Sequence, residues 1–188
     1  LINLRKILND NKTLNNQDLY YLNQIAKKYK LKILNKHKID LINELLITVD
    51  IIPNSIVLAQ AANESGWGTS RFAKDYNAFF GEYTYDLSKG VLPLDREEGK
   101  THFVKVFSSS DKSVESYFRN INTHHAYKDF RLIRKLMREK NNFTDLNLLI
   151  NTLDTYAEDE KYIQTISSII QSNKLFNFDI LIFTLLKS

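Results

Sequence analysis

The sequence predicts a mainly α-helical (α+β) domain with one small β-hairpin lobe. Three observations carry this. Two prolines and five glycines punctuate 188 residues, too few turn signals for a sandwich or barrel. Apolar residues recur at helical spacing before residue 77 and after residue 107. Between those limits the period changes to two.

Taken in order, Asn16 is expected to cap a helix carrying Leu19, Leu22, Ile25 and Ala26. Asp40 caps or opens a second, with Leu41, Leu45, Leu46 and Val49. Pro53 stands where proline suits a helix start, ahead of a third helix near Asn54 to Glu64, and Gly66 with Gly68 ends it. Thr69 is placed to cap a short helix through Tyr76. Tyr83, Thr84 and Tyr85 have strand propensity, and His102 to Phe107 alternates. The Gly/Pro/Asp-containing stretch Asp86 to Gly99 lies between them, so this region reads as a two-stranded hairpin with a long loop. Ser110 or Asp111 then caps a helix with Val114, Tyr117, Phe118 and Ile121. Tyr127 to Lys140 places Phe130, Ile133, Leu136 and Met137 on one core-facing side. Thr144 with Asp145 opens another helix, and Asp159 or Glu160 opens the next, through Ile170. Phe178 to Leu186 is apolar nearly all round and reads as a buried closing helix.

Composition excludes several classes of function. The chain is 43% hydrophobic and 26% charged, as soluble globular proteins are. Its net charge of +4 is a mild basic bias, compatible with an anionic polymer or with a plain lysine-rich surface. No recognised nucleic-acid motif accompanies it, so no nucleic-acid partner is expected. The absence of cysteine removes disulfides, thiolate catalysis and Cys-ligated metals. His124 and His125 are neighbours whose side chains diverge on a helix, His37 and His102 lie far off in sequence, and no HExxH spacing occurs. No metal site and no cofactor are therefore expected. No apolar run is long enough for a membrane span. The chain starts on Leu1 and reads as a trimmed or mature form, with any signal segment outside it.

The chemistry concentrates in Val57 to Phe72, VLAQAANESGWGTSRF. Ala59, Ala61 and Ala62 let this helix pack close to its neighbours. Glu64 falls in the last turn, at the negative end of the helix dipole, where ionisation is disfavoured. Burial beside Trp67 would disfavour it further. A carboxyl that keeps its proton near neutral pH is what a general acid for glycosidic-bond cleavage requires. The glycines flanking Trp67 leave room for a bulky polymer. A lone glutamate before a Gly-rich helix end is as readily a solvated surface residue, so the surrounding pattern decides.

That pattern has four ordered blocks, AQAANESGWG with SRFA, NAFFG from Asn77 to Gly81, FSSSDKSVESYFRNI continuing into NTHHAYKDFRLIR, and YAEDEKY from Tyr156 to Tyr162. Together they resemble the bacterial glucosaminidase family, which includes flagellar muralytic domains, and most closely its Bax-like branch. The resemblance covers roughly residues 55 to 175. It implies a lysozyme-like fold, a helical lobe and a small β-lobe with the substrate groove between them. It implies that Glu64 is the catalytic acid, that Asn77, Phe80 and Gly81 belong to a cleft-lining element, and that Tyr156 points into the active site, with Tyr162 completing its motif as a further substrate-binding residue of the cleft. The family's second acidic residue lies in the β-lobe. Glu97 and Glu98 are the candidates here, Glu98 favoured, with Asp86 and Asp95 behind them. An inverting pair stands ~6.5–9.5 Å apart and a retaining pair ~5 Å, and the substrate's own N-acetyl group can replace a protein nucleophile.

For several residues two roles stay open. Tyr156 orients the sugar or stabilises charge at the anomeric carbon, or else packs in the core. Trp67 and Phe80 stack on sugar faces or pack the groove floor. Asn77 binds an acetamido group or caps a turn, and Arg96 is structural or contacts substrate. The function expected is an endo-β-N-acetylglucosaminidase cleaving peptidoglycan glycan strands, in the periplasm or otherwise associated with the cell envelope. Lytic transglycosylase-type cleavage and a non-catalytic peptidoglycan-binding module are the alternatives. Residues 1–50 read as an N-terminal helical extension packed on the same domain, and residues 51–188 as the catalytic domain.

Overall fold

The computed structural model describes residues 15–31, 38–93, 99, 101–140, 145–157 and 159–180, with only the backbone at 38 and 39. These residues form two compact units. The first holds the described residues up to Ile51 together with 121–157, and the second holds 52–120 and 158–180.

In the first unit, α1 spans Asn16–Lys28. Its cap is Asn15, one residue before the one expected. The reason is a capping box: Asn15 Oδ1 accepts from the Asp18 N–H at 2.9 Å, and the Asp18 carboxylate accepts from the Asn15 N–H at 3.0 Å. Helix α2, Lys38–Thr48, starts before Asp40. Leu22 and Ala26 of α1 form a buried cluster with Leu41, Leu45 and Val49.

The helix expected over Tyr127 to Lys140 is present as Lys128–Glu139, preceded by a 3₁₀ turn at His125–Tyr127. Within it Phe130 and Met137 are buried as expected, but Leu136 is exposed and Arg134 is fully buried. Arg134 is held at the end of α2, where helix carbonyls lack intrahelical partners. It donates to Ile47 O at 3.0 Å and Ile51 O at 2.6 Å, and pairs with Asp50 at 3.7 Å. Arg138 grips the same carboxylate with two hydrogen bonds. A short helix, Asn147–Ile150, runs into a 3₁₀ turn at Asn151–Leu153 and buries Leu149, Ile150 and Leu153. Thr144 lies outside the described residues, but Asp145 does open this helix by accepting from the Asn147 N–H at 3.1 Å.

In the second unit, α3 spans Asn54–Ser65 and ends on left-handed Gly66. Pro53 at its N-cap offers no side-chain acceptor. The acceptor comes from Asp179, buried and distant in sequence, whose Oδ1 takes the Ser55 N–H at 3.0 Å. Beside it Asn54 Nδ2 donates to Phe178 O at 3.0 Å. Loss of such a cap costs about 1–2 kcal/mol. Asp179→Ala should lower the urea unfolding midpoint accordingly, while Asp179→Asn, which keeps the Oδ1 acceptor, should lose less.

Helix α4, Arg71–Tyr76, is capped by Ser70 and not by Thr69, because the Thr69 hydroxyl is already bonded to Gly66 O at 2.6 Å. Three short strands follow, β1 (Tyr83–Thr84), β2 (Gly90–Val91) and β3 (Phe103–Lys105), antiparallel in the order β1-β3-β2. The lobe is thus three-stranded, where two strands were expected. The extra strand lies in the stretch read as loop, around a glycine of low strand propensity. That glycine is required, since a Cβ at Gly90 would stand 2.6 Å from Phe103 Cβ and 2.7 Å from Thr84 Cγ2. Helix α5 is Ser110–Thr123, and its last residues enter the first unit. The helix Tyr162–Ser172 packs along α3, as does the 3₁₀ turn Leu175–Phe178 behind it. In chain order the last three helices are α6 (Lys128–Glu139), α7 (Asn147–Ile150) and α8 (Tyr162–Ser172). The closing helix expected over Phe178 to Leu186 lies mostly outside the described residues.

Candidate active site

Glu64 sits one residue before the end of α3 and is half-buried. Burial raises its carboxyl above the usual glutamate range, while hydrogen bonds from Asn63 and Tyr162 act in the opposite direction. The Asn63 bond reaches Oε1 at 3.2 Å. Trp67 is 61% exposed, so the cover over Glu64 comes from elsewhere. Part of it is Gly81, whose bare backbone lies against the acid: a Cβ there would stand 2.9 Å from Glu64 Oε2. Gly81 also has φ +61°, which a side chain disfavours. Gly81→Ala should therefore push the carboxylate from its position and move its titration midpoint, with a small loss of Tm. An unmoved midpoint would show that the carboxylate needs no such space.

The rest of the NAFFG block supports this approach from below. Asn77 takes the left-handed conformation that ends α4, and its Nδ2 donates to Phe107 O at 3.2 Å, so it acts here as a cap and tie. Phe80, read from the sequence as a cleft residue, is buried, and its ring stacks on Tyr117 at 4.1 Å between centroids. With that face covered, it is support beneath the surface. After Gly81, the Glu82 carboxylate is fixed by Lys105 of β3 at 3.2 Å and by the Ser116 hydroxyl of α5 at 2.8 Å.

Trp67 follows Gly66 in the same left-handed region, with φ +58°. An exposed non-glycine held so is strained, and strain of this kind clusters at ligand sites. Tyr162, also read as a cleft residue, is only 2% exposed, with its hydroxyl engaged inside the unit. Tyr156 belongs to the first unit, half-buried, its ring 6.0 Å from that of Tyr127. Glu97 and Glu98, with Asp95 and Arg96, lie outside the described residues. Asp86 is held down to about 2 by Lys89 and Ser88. It is spent on a local turn, accepting from Ser88 N at 3.0 Å and pairing with Lys89 at 2.7 Å.

His124 and His125 stack, 4.2 Å between ring centroids. Among the described residues no group of three metal-ligating side chains converges, and no helix is long and apolar enough to cross a membrane. The residue that sequence reasoning missed is Gln60. It is fully buried and joins Tyr117 to Tyr162 within the same unit as Glu64. The available signal was one amide side chain in a run of small and apolar residues.

The chain has relatives among known proteins, in sequence and in fold. The glucosaminidase family model, described as mannosyl-glycoprotein endo-beta-N-acetylglucosaminidase, matches residues 39–175. Protein bax of Escherichia coli (strain K12) is 41% identical over 137 residues, which are 72% of this chain and 48% of that protein. The chain thus spans about half the length of this curated relative. The fold is similar to the catalytic domain of the autolysin Auto from Listeria monocytogenes, with a TM-score of 0.53 at 20% identity over 94% of this chain and 96% of that one. That likeness carries the architecture, an α+β lysozyme-like fold with a helical body and a small antiparallel sheet. With a family match over most of its length, the chain is a member of the glucosaminidase family.

Proposed function

We propose that this chain cleaves the glycan strands of peptidoglycan as an endo-β-N-acetylglucosaminidase, with Glu64 as general acid. One observation carries the reading: a partly desolvated carboxyl at the end of α3, its pKa raised, lies against the bare backbone of Gly81. A carboxyl so placed gives up its proton less readily than an exposed glutamate, which suits a general acid. In the reaction it would protonate the glycosidic oxygen as the bond to the anomeric carbon breaks and oxocarbenium character develops.

The second carboxylate in this reading is Glu98, with Glu97 as its alternate, in the acidic stretch DREE of the sequence. Tyr156 stabilises the charge on the sugar, and Trp67 and Asn77 contact the substrate. In this reading the catalytic domain is 51–188, residues 1–50 are its N-terminal helical extension, and its place is the periplasm or another part of the envelope, where the polymer is. Family membership supports the substrate class.

The test is digestion of purified peptidoglycan by the chain and by its Glu64→Gln variant, read by mass spectrometry. Hydrolysed muropeptides ending in reducing N-acetylglucosamine, absent with the variant, are the expected result. Anhydro-sugars, lighter by one water, would move the chain to transglycosylase chemistry. That second reading is favoured by the local tie-up of Asp86 and the ion-pairing of Glu82, since a single glutamate can act there as acid and then as base. Binding without release by either form would leave a glycan-binding module.

A further inference from the structure

Gln60 lies on α3 one turn before Glu64, and its amide bridges two buried phenols. Tyr117 of α5 donates its O–H to Gln60 Oε1, and Gln60 Nε2 donates to the Tyr162 hydroxyl oxygen at 2.7 Å. A phenol has one proton to give. Tyr117 gives its proton to the amide oxygen, which turns the amide nitrogen toward Tyr162. The Tyr162 oxygen receives that N–H, so its own proton points elsewhere, and its partner is the Glu64 carboxylate. The sequence of donors therefore runs one way, from Tyr117 through Gln60 and Tyr162 to Glu64. A reversed amide would accept the Tyr162 proton and leave Glu64 without that donor. The start of the relay is fixed by Phe80, stacked on the Tyr117 ring with 19° between planes.

We infer that Gln60 and Tyr162 are positioning residues: their hydrogen-bonded chain, begun at Tyr117, holds the Tyr162 hydroxyl on the Glu64 carboxylate and so fixes where that carboxylate stands. This rests on the reading of Glu64 as the acid. It also assigns Tyr162 a role behind the acid, where the sequence suggested a substrate contact. The influences on Glu64 are burial, the Asn63 amide and the Tyr162 hydroxyl. The other titratable member of the relay is the Tyr117 phenol.

The experiment is a ¹³C-carboxyl titration of the glutamate-labelled chain, with the Glu64 resonance identified by its loss in Glu64→Gln. In Tyr162→Phe the Glu64 midpoint should move to higher pH, because a donor to the ionised form is gone. kcat should fall about tenfold with KM little changed, and the alkaline limb of the pH–rate profile should move in the same direction. Gln60→Met should shift the midpoint the same way by less, and it carries the test if Tyr162→Phe does not fold. An unmoved midpoint in a folded Tyr162→Phe overturns the relay even if Glu64→Gln is inactive. A shift there with none in Gln60→Met overturns the part given to Gln60. Cleavage that survives Glu64→Gln removes the acid assignment, while the titration still reports on the relay.

Discussion

Glu64→Gln is expected to lower peptidoglycan cleavage by about 10²–10⁴-fold, the usual worth of a positioned general acid, and to make the protein more stable at neutral pH. The second effect follows from the direction of the Glu64 shift. Burial raises its folded-state pKa, so between the unfolded and folded values the native state binds more protons than the unfolded chain. The associated stability is complete below the unfolded pKa and is lost as pH rises through the folded one. Glutamine does not ionise and escapes that loss. The Tm of Glu64→Gln should therefore exceed that of wild type at pH 7, and the gap should close below roughly pH 4. Scanning calorimetry at several pH values checks this without any substrate. Equal Tm values at pH 7 would mean that Glu64 is solvated like an ordinary surface glutamate. Gain of stability with loss of activity is the usual trade at a site that holds an uncomfortable group.

Asp50→Ala should produce the largest loss of stability, about 3–5 kcal/mol. Asp50 is buried and meets two guanidinium groups, Arg134 and Arg138, while its Oδ1 also accepts the Ile51 N–H at 2.8 Å. Without the carboxylate, fully buried Arg134 keeps its carbonyl partners but loses its counter-charge. Arg138→Ala should cost less, since that side chain is 19% exposed and water can take its place. The double variant Asp50→Ala/Arg134→Met should recover part of the loss, because the uncompensated charge is gone. Urea unfolding of these variants, together with Arg134→Met alone, gives the values. Additive losses in the double variant would show that the pair is not coupled.

Much of the fold was legible because it depends on local signals. Pro53 and Gly66 bracket α3 as their backbone preferences require. The changes of period at 77 and 107 separate the sheet from the helices on either side. The errors arise where a partner outside the local window decided the outcome. Asn15 displaced Asn16 because of Asp18, and Ser70 displaced Thr69 because of the Gly66 carbonyl. Strand β2 was missed because its glycine is chosen by the crowding of Phe103 and Thr84 across the sheet, not by propensity. Arg134 defeated the apolar stripe on α6 because its partners are carbonyls at the end of another helix.

The site divides in the same way. Glu64 and Gly81 stand out in separate blocks of the sequence, and the structure brings them together: the carboxylate occupies the room that the missing Cβ leaves. Gln60 was not readable. In sequence it is an unremarked amide, and its meaning depends on Tyr117 and Tyr162, 57 and 102 positions away.

The cap of α3 also sets an order of events in time. The Ser55 amide waits for an aspartate 124 residues further on. At roughly 5–20 residues per second of synthesis, the start of this helix is left open for about 6–25 s after it has been made. Through that interval the strand of chain bearing Glu64 has its stop signal but not its anchor. The first turn of α3 is therefore the last part of that helix to be anchored, and a ribosome that stops short of Asp179 releases a chain whose helix is still fraying at its root.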